Sequence, residues 1–323
     1  MSFINVNWYI SLAFCLVFFI GGRQLAEAVD GSPRLSGISY VGGAQRIIDT
    51  PRSGVISRSS VNTRARGMLS LVLILLALPS LLFPLAYLPL EIVSYPWYNT
   101  FRSINRIELI SALIAPAAGF STYKKPDNAY TVYRSSNTSP VLRVVKPLAF
   151  PFCVLLISVN FISPLIKPLD RETTFYDIWA DGGIYLQSTG ATGGPAALMS
   201  AMYSLNNFVD SELEAASGTY TDRGGTEFWY LSRYAINRGY RTKFLRLTDI
   251  VDSPVPSIIP VSWGAEHSGG PRPDTYITLL NRSEETVTIG DPVDGMLELS
   301  TLEYSLRYGD PELVLAITTP RQR

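Results

Sequence analysis

The sequence predicts an α-helical membrane region of about four spans over residues 1–169, followed by an α+β domain over residues 170–323. Three observations carry this expectation. Long apolar runs crowd the first half and stop near Leu169. Short polar loops rich in Arg and Lys separate them. Beyond residue 169 the composition is that of a soluble protein, with helical periodicity first and alternating strands after it.

The first apolar run, Ile4 to Gly22, has Trp8 and Tyr9 as interface anchors. It has no cationic residue before Arg23 and no small-residue cleavage pattern, so it reads as an uncleaved anchor. Gly21 to Arg66 is polar and basic, which places it on the cytoplasmic side. Met68 to Leu88 is Leu-rich and uncharged, with Pro79 and Pro84 set to kink its end and Tyr95, Trp97 and Tyr98 following as an interfacial belt. Ile107 to Phe120 is short and carries Glu108. It is taken as a crossing because the basic segment Ser121 to Lys146 then falls in the cytoplasm. Pro147 to Ile166, flanked by Lys146 and Lys167, is the fourth span and leaves the second half outside the cytoplasm. That topology fits a bacterial inner membrane with the soluble domain on the periplasmic face.

Charge and composition exclude several function classes. Lys plus Arg equals Asp plus Glu at 27 each, so no net field attracts nucleic acid. The one histidine, His267, excludes a multi-His metal site, bis-His haem and imidazole-ligated pigment, so neither metal nor cofactor is expected. Cys15 and Cys153 both lie in apolar runs, and no residue after 153 can supply a thiolate. No Gly-x-x-x-x-Gly-Lys-Ser/Thr pattern occurs, so any ATPase would be a separate chain.

In the soluble half, helices are expected over Ala196 to Leu205, Ser211 to Ala216 and Phe228 to Arg238, the last closed by Gly239. Strands follow at Arg241 to Leu247 and Ser257 to Trp263. Asp274 to Asn281 and Glu285 to Ile289 form a hairpin closed by Gly290-Asp291-Pro292, and Leu313 to Ile317 is the last strand. Trp229, Tyr230, Tyr234 and Tyr240 are dense for one helix and its exit, and read as core or as a partner surface. Asn281-Arg282-Ser283 matches a glycosylation acceptor by chance.

One stretch, Tyr185-Leu186-Gln187-Ser188-Thr189-Gly190-Ala191-Thr192-Gly193-Gly194-Pro195-Ala196-Ala197-Leu198, opens the first of these helices. It resembles the active-site signature of the bacteriocin-processing, double-glycine-leader cysteine peptidases, which are papain-like. In that family a Gln precedes a nucleophilic Cys at the spacing of Gln187 to Gly193, and Gly194-Pro195-Ala196-Ala197 fits the family's residues after the Cys. The resemblance extends to about Ile317 through Gly225-Thr226, Arg238-Gly239-Tyr240, Thr275-Tyr276-Ile277-Thr278-Leu279 and Asp291-Pro292. It implies a papain-like fold in which Gly193 stands for the nucleophile, Thr275 for the base, Gln187 for the oxyanion-stabilising residue and Asp291 for the residue that orients the base. Glycine offers no nucleophile and threonine no imidazole. The resemblance therefore implies a vestigial site without peptidase activity. Gln187, Thr192, Gly194, Tyr276 and Asp291 are its candidate binding-groove residues.

Bland readings stand beside these roles. Asp291 before Pro292 is a turn-forming Asp bonded to its own backbone, Gln187 satisfies buried backbone groups, and His267 is a solvated loop residue. A Thr192–His267–Asp291 triad is the only rescue of catalysis the residues offer. The function expected is that of an inactive, peptidase-like structural or binding subunit of a larger membrane complex, respiratory or photosynthetic, whose partners are other integral-membrane subunits and the lipid bilayer. The alternative is a peptide-binding accessory of a peptide or bacteriocin export system, with peptide in the vestigial groove. Unconventional hydrolysis ranks third.

Overall fold

Proline placement decides how the apolar runs fold. The computed structural model describes residues 6–30, 59–83, 91–122, 151–155, 169, 174–208, 210–261 and 275–319. Its N-terminal helices are α1 (Val6–Asp30), α2 (Ser59–Ala77), α3 (Pro96–Ser103) and α4 (Ile114–Thr122). Pro79 lies in the first turn of the tighter helix Leu78–Leu82, so the α-helical ladder of α2 ends at Ala77. The segment Ile107–Leu113 winds as a 3-10 helix before α4, which is only 9 residues long.

These breaks correct the expected span count. Among the described residues only Ile10–Ala28, with 19 residues, is long and apolar enough to cross a membrane. Met68–Leu82 and Ile107–Thr122 are shorter apolar helices, below the ~20 residues a bilayer crossing needs. Of the run Pro147 to Ile166 only 151–155 is described, as helix. About four spans thus becomes one candidate, and an N-terminal helix of that length and composition suits an anchor and a signal sequence alike.

The chain divides into two compact units, one of Asn7–Phe83 with Glu108–Ser158, the other of Met1–Val6, Pro84–Ile107 and Val159–Arg323. In the first, Ala26, Leu73 and Phe120 bring α1, α2 and α4 together. Gly22 of α1 meets the backbone of Pro116, and Gly119 of α4 meets that of Phe19, so close that a Cβ at either glycine would collide. The two helices touch backbone to backbone there, which only glycine permits.

The second unit is an α+β domain. Its small hairpin pairs β1 (Trp179–Ala180) with β2 (Ile184–Tyr185), and helices α5 (Gly193–Asn206), α6 (Glu212–Gly218) and α7 (Phe228–Asn237) follow. The strands β3 (Arg241–Arg246), β4 (Ser257–Val261), β5 (Thr275–Arg282), β6 (Thr286–Asp291), β7 (Gly295–Ser300) and β8 (Leu313–Thr318) form one antiparallel sheet, ordered β3-β8-β4-β5-β6-β7. Helix α8 (Thr301–Tyr308) links its last two strands.

Both faces of the sheet are covered, so β5 is buried from Thr275 through Leu279, its two threonines included. Tyr276, Ile258, Leu315 and Ile317 face one way, onto Ala196, Ala197, Leu198 and Met199 of α5. Ile277, Ile259, Val314 and Ile289 face the other, onto Tyr304 of α8. That split follows the two-residue period of a strand. Gly239 closes α7 with a φ of 91°, as its cap position requires.

The aromatic residues of α7 are covered from within the same unit. Trp229 and Tyr230 form a cluster with Tyr98 of α3 and with Ile92, Val93 and Tyr220. Arg102 lies 4.5 Å over the Trp229 ring, and Arg233 donates to the Arg102 carbonyl at 2.5 Å. Tyr98, expected in an interfacial belt, is instead fully buried, whereas Tyr95 and Trp97 are 40% and 52% exposed. The amphipathic spacing of α3 explains this: Tyr98 and Arg102 lie one turn apart on its buried face.

Candidate functional site

The site forms where three ties converge on the N-terminus of α5. Tyr185 of β2 donates its backbone N–H to Ser200 Oγ of α5 at 2.8 Å, which places the following loop over the helix. Gln187 donates its backbone N–H to the Pro292 carbonyl at 2.9 Å, joining that loop to the turn after β6. Ser188 donates its N–H to Glu212 Oε1 at 2.8 Å and hydrogen-bonds the other Glu212 oxygen through its hydroxyl. Helix α5 then starts at Gly193-Gly194-Pro195, where the missing proline N–H would have no helical partner in any case.

Gly193 is the centre of this arrangement. It is buried, at the first turn of α5, with the positive end of the helix dipole at its backbone. A Cβ built on it would collide with Thr275 Oγ1 and meet Gln187 Oε1 at 2.6 Å. Both oxygens are buried and neither has a hydrogen-bond partner. Thr275 itself is only 6% exposed. The residues matched to nucleophile, base and oxyanion stabiliser therefore come together, as three side-chain positions aimed at one point. The space a side chain at 193 would enter is already occupied.

Asp291, matched to the residue that orients the base, is wholly buried, and its carboxylate is bonded to its own turn and to Tyr308 and not to Thr275. Its Oδ1 accepts from the Val293 N–H at 2.8 Å and the Asp294 N–H at 3.4 Å, the side-chain turn expected of Asp before Pro. Its Oδ2 accepts from the Tyr308 hydroxyl at 2.7 Å. Burial, followed by this hydrogen bond and the Asp291 charge, pushes the Tyr308 phenol well above its ordinary range.

Thr192, the rescue nucleophile, is fully buried, and its hydroxyl donates to the Thr189 carbonyl at 2.9 Å and accepts from the Thr189 N–H at 3.1 Å. Gly194 packs against Thr226, whose Cβ would stand 3.1 Å from an added Cβ, and against Tyr276 at 3.2 Å. Tyr276 is 2% exposed and donates to the Thr226 carbonyl at 2.7 Å, so it belongs to the core beneath the helix. His267 lies outside the described residues, as do the others of 262–274.

Two participants were missed in the sequence. Tyr308 arrives on α8, announced by a capping box at Ser300 and Glu303. Glu212 follows the cap Ser211 and looks like any first-turn acid, and no sequence signal marks its bond to Ser188.

Among solved structures, the chain is similar to peptidase domains. One solved relative is a double glycine motif protease from an AMS/PCAT transporter in complex with the leader peptide, 17% identical, covering 48% of this chain and 99% of that one, with a TM-score of 0.35. Another is the peptidase domain of Streptococcus ComA, a bi-functional ABC transporter involved in a quorum sensing pathway, 20% identical over 42% of this chain and 96% of that one, TM-score 0.35. The peptidase domain of Streptococcus mutans ComA matches at 18% identity over 44% of this chain and 99% of that one, TM-score 0.31. No family model matches the chain, and no curated protein does.

Proposed function

We propose that this chain is a catalytically inactive, peptidase-like protein that serves as a structural or binding subunit of a larger membrane complex. The observation that carries the reading is the filled position at Gly193, where Thr275 and Gln187 occupy the space a nucleophilic side chain would need. A thiol peptidase needs both a nucleophile and a base in contact, and these positions hold a glycine and a threonine. Attachment is through Ile10–Ala28. Purification from native membranes in mild detergent tests this: a defined set of integral-membrane subunits in fixed ratio supports it. Recovery of the chain alone sinks it.

A second reading is a peptide-binding accessory of an export system. It is favoured by Tyr176 and Leu213, 63% and 46% exposed, which flank the Gln187–Ser188 loop through the Tyr176 N–H bond to Ser188 Oγ and through Glu212. Saturable binding of a double-glycine peptide that weakens on Leu213→Ala selects this reading.

A further inference from the structure

The chain has two cysteines, one in the first apolar run and one in the last. Folding brings them together. Cys15 of α1 and Cys153 of the helical segment 151–155 are both fully buried in one small cluster with Ala112 and Ala115. Both are free thiols, and the cluster brings them together from opposite ends of the helical unit. Phe18, Phe19, Ile114 and Ala118 close around them. Among the described residues no group of three or more metal-ligating side chains exists, so the pair is not part of a larger metal cluster. An unpaired buried Cys packs as a small hydrophobe and needs no second sulfur beside it. Two cysteines gathered into one small cluster are what a disulfide starts from.

We propose that Cys15 and Cys153 form an intramolecular disulfide that fastens α1 to the segment 151–155. The two S–H bonds break and one S–S bond forms. The two protons and two electrons pass to the disulfide of an exchange oxidant, whose S–S bond breaks to give a pair of thiols. Attack requires a thiolate reachable by the oxidant, so the bond closes while α1 is docking, before burial. Once closed it is shielded from soluble reductants. The closed ring takes in nearly all of the helical unit, and long loops are where cross-linking restricts the unfolded chain most.

The test uses the full chain, synthesised into detergent micelles with oxidised glutathione so that the oxidant meets the thiols during folding. The product is denatured and alkylated with a maleimide-polyethylene glycol, with and without prior reduction. The expected result is a monomer with no label before reduction and two labels after it, lighter by two hydrogens than the reduced chain, with a peptide joining residues 15 and 153. Cys15→Ser and Cys153→Ser variants should each carry one glutathione, and their thermal unfolding should not respond to reductant, whereas wild type should unfold at lower temperature once reduced. Two labels before reduction, two glutathione adducts on one wild-type chain, or a disulfide-linked dimer would overturn the proposal.

Discussion

Tyr98 packs edge-on against Trp229, with ring centroids 6.0 Å apart and planes at 88°. Because Tyr98 precedes the sheet by a long stretch of chain, this contact ties α3 to the α+β domain across sequence. Trp229→Ala should cost about 3–5 kcal/mol, as large-to-small changes at a filled aromatic site do. Combined with Tyr98→Ala it should show a coupling of about 0.5–1.5 kcal/mol. Chemical denaturation of the full chain in micelles measures both. Proteolysis within 84–107 should accelerate in the Trp229 variant.

Gly193→Ala tests the filled position. Alanine favours a helix over glycine by about 1 kcal/mol, yet an added Cβ here collides with Thr275 Oγ1. Overpacking costs about 1–3 kcal/mol, so the substitution should be net destabilising. With Thr275→Ala in place, the same change should become neutral or stabilising. A double-mutant cycle by denaturant unfolding reads the difference, and additive effects would show that the two positions do not touch.

Much of this was legible in the sequence. The helix expected over Ala196 to Leu205 runs Gly193–Asn206, the strand expected over Asp274 to Asn281 runs Thr275–Arg282, and Gly239 follows α7 with the positive φ its cap position requires. The membrane region was less so. Hydropathy sees Leu-rich runs but not that Pro79 ends a helical ladder or that Ile107–Leu113 tightens into a 3-10 turn. Strand β7 and helix α8 were passed over, although Asp294-Gly295 is a hairpin turn signal and Ser300 with Glu303 a capping box. The burial of Tyr98 is a long-range contact that no local pattern encodes.

Asp291 should behave as a turn residue. An asparagine side chain keeps an acceptor for the Val293 N–H and a partner for Tyr308, so Asp291→Asn should stay within about 1 kcal/mol of wild type. Asp291→Ala removes both and should cost about 1–3 kcal/mol. Thermal unfolding of the two variants side by side is the check.

Alkaline pH should destabilise the α+β domain. Burial is the leading cause that raises the phenols of Tyr185, Tyr234, Tyr304 and Tyr308 above their ordinary value. A raised folded-state value means that the folded chain holds these protons more tightly than the unfolded chain does. Their contribution is complete below the unfolded tyrosine value of about 10 and is lost as pH rises through the folded values. Stability measured by denaturant should therefore fall steadily above about pH 10. Tyr304→Phe, which removes a fully buried phenol, should flatten that fall.

The most direct test of the inactive reading is a cleavage assay. The full chain in mild detergent is incubated with double-glycine leader peptides, and the products are followed by mass spectrometry. An inactive site predicts no cleavage above the rate without protein, both for wild type and for Thr192→Val. Saturable cleavage after the double glycine that disappears in Thr192→Val would contradict it, and would make Thr192 a nucleophile.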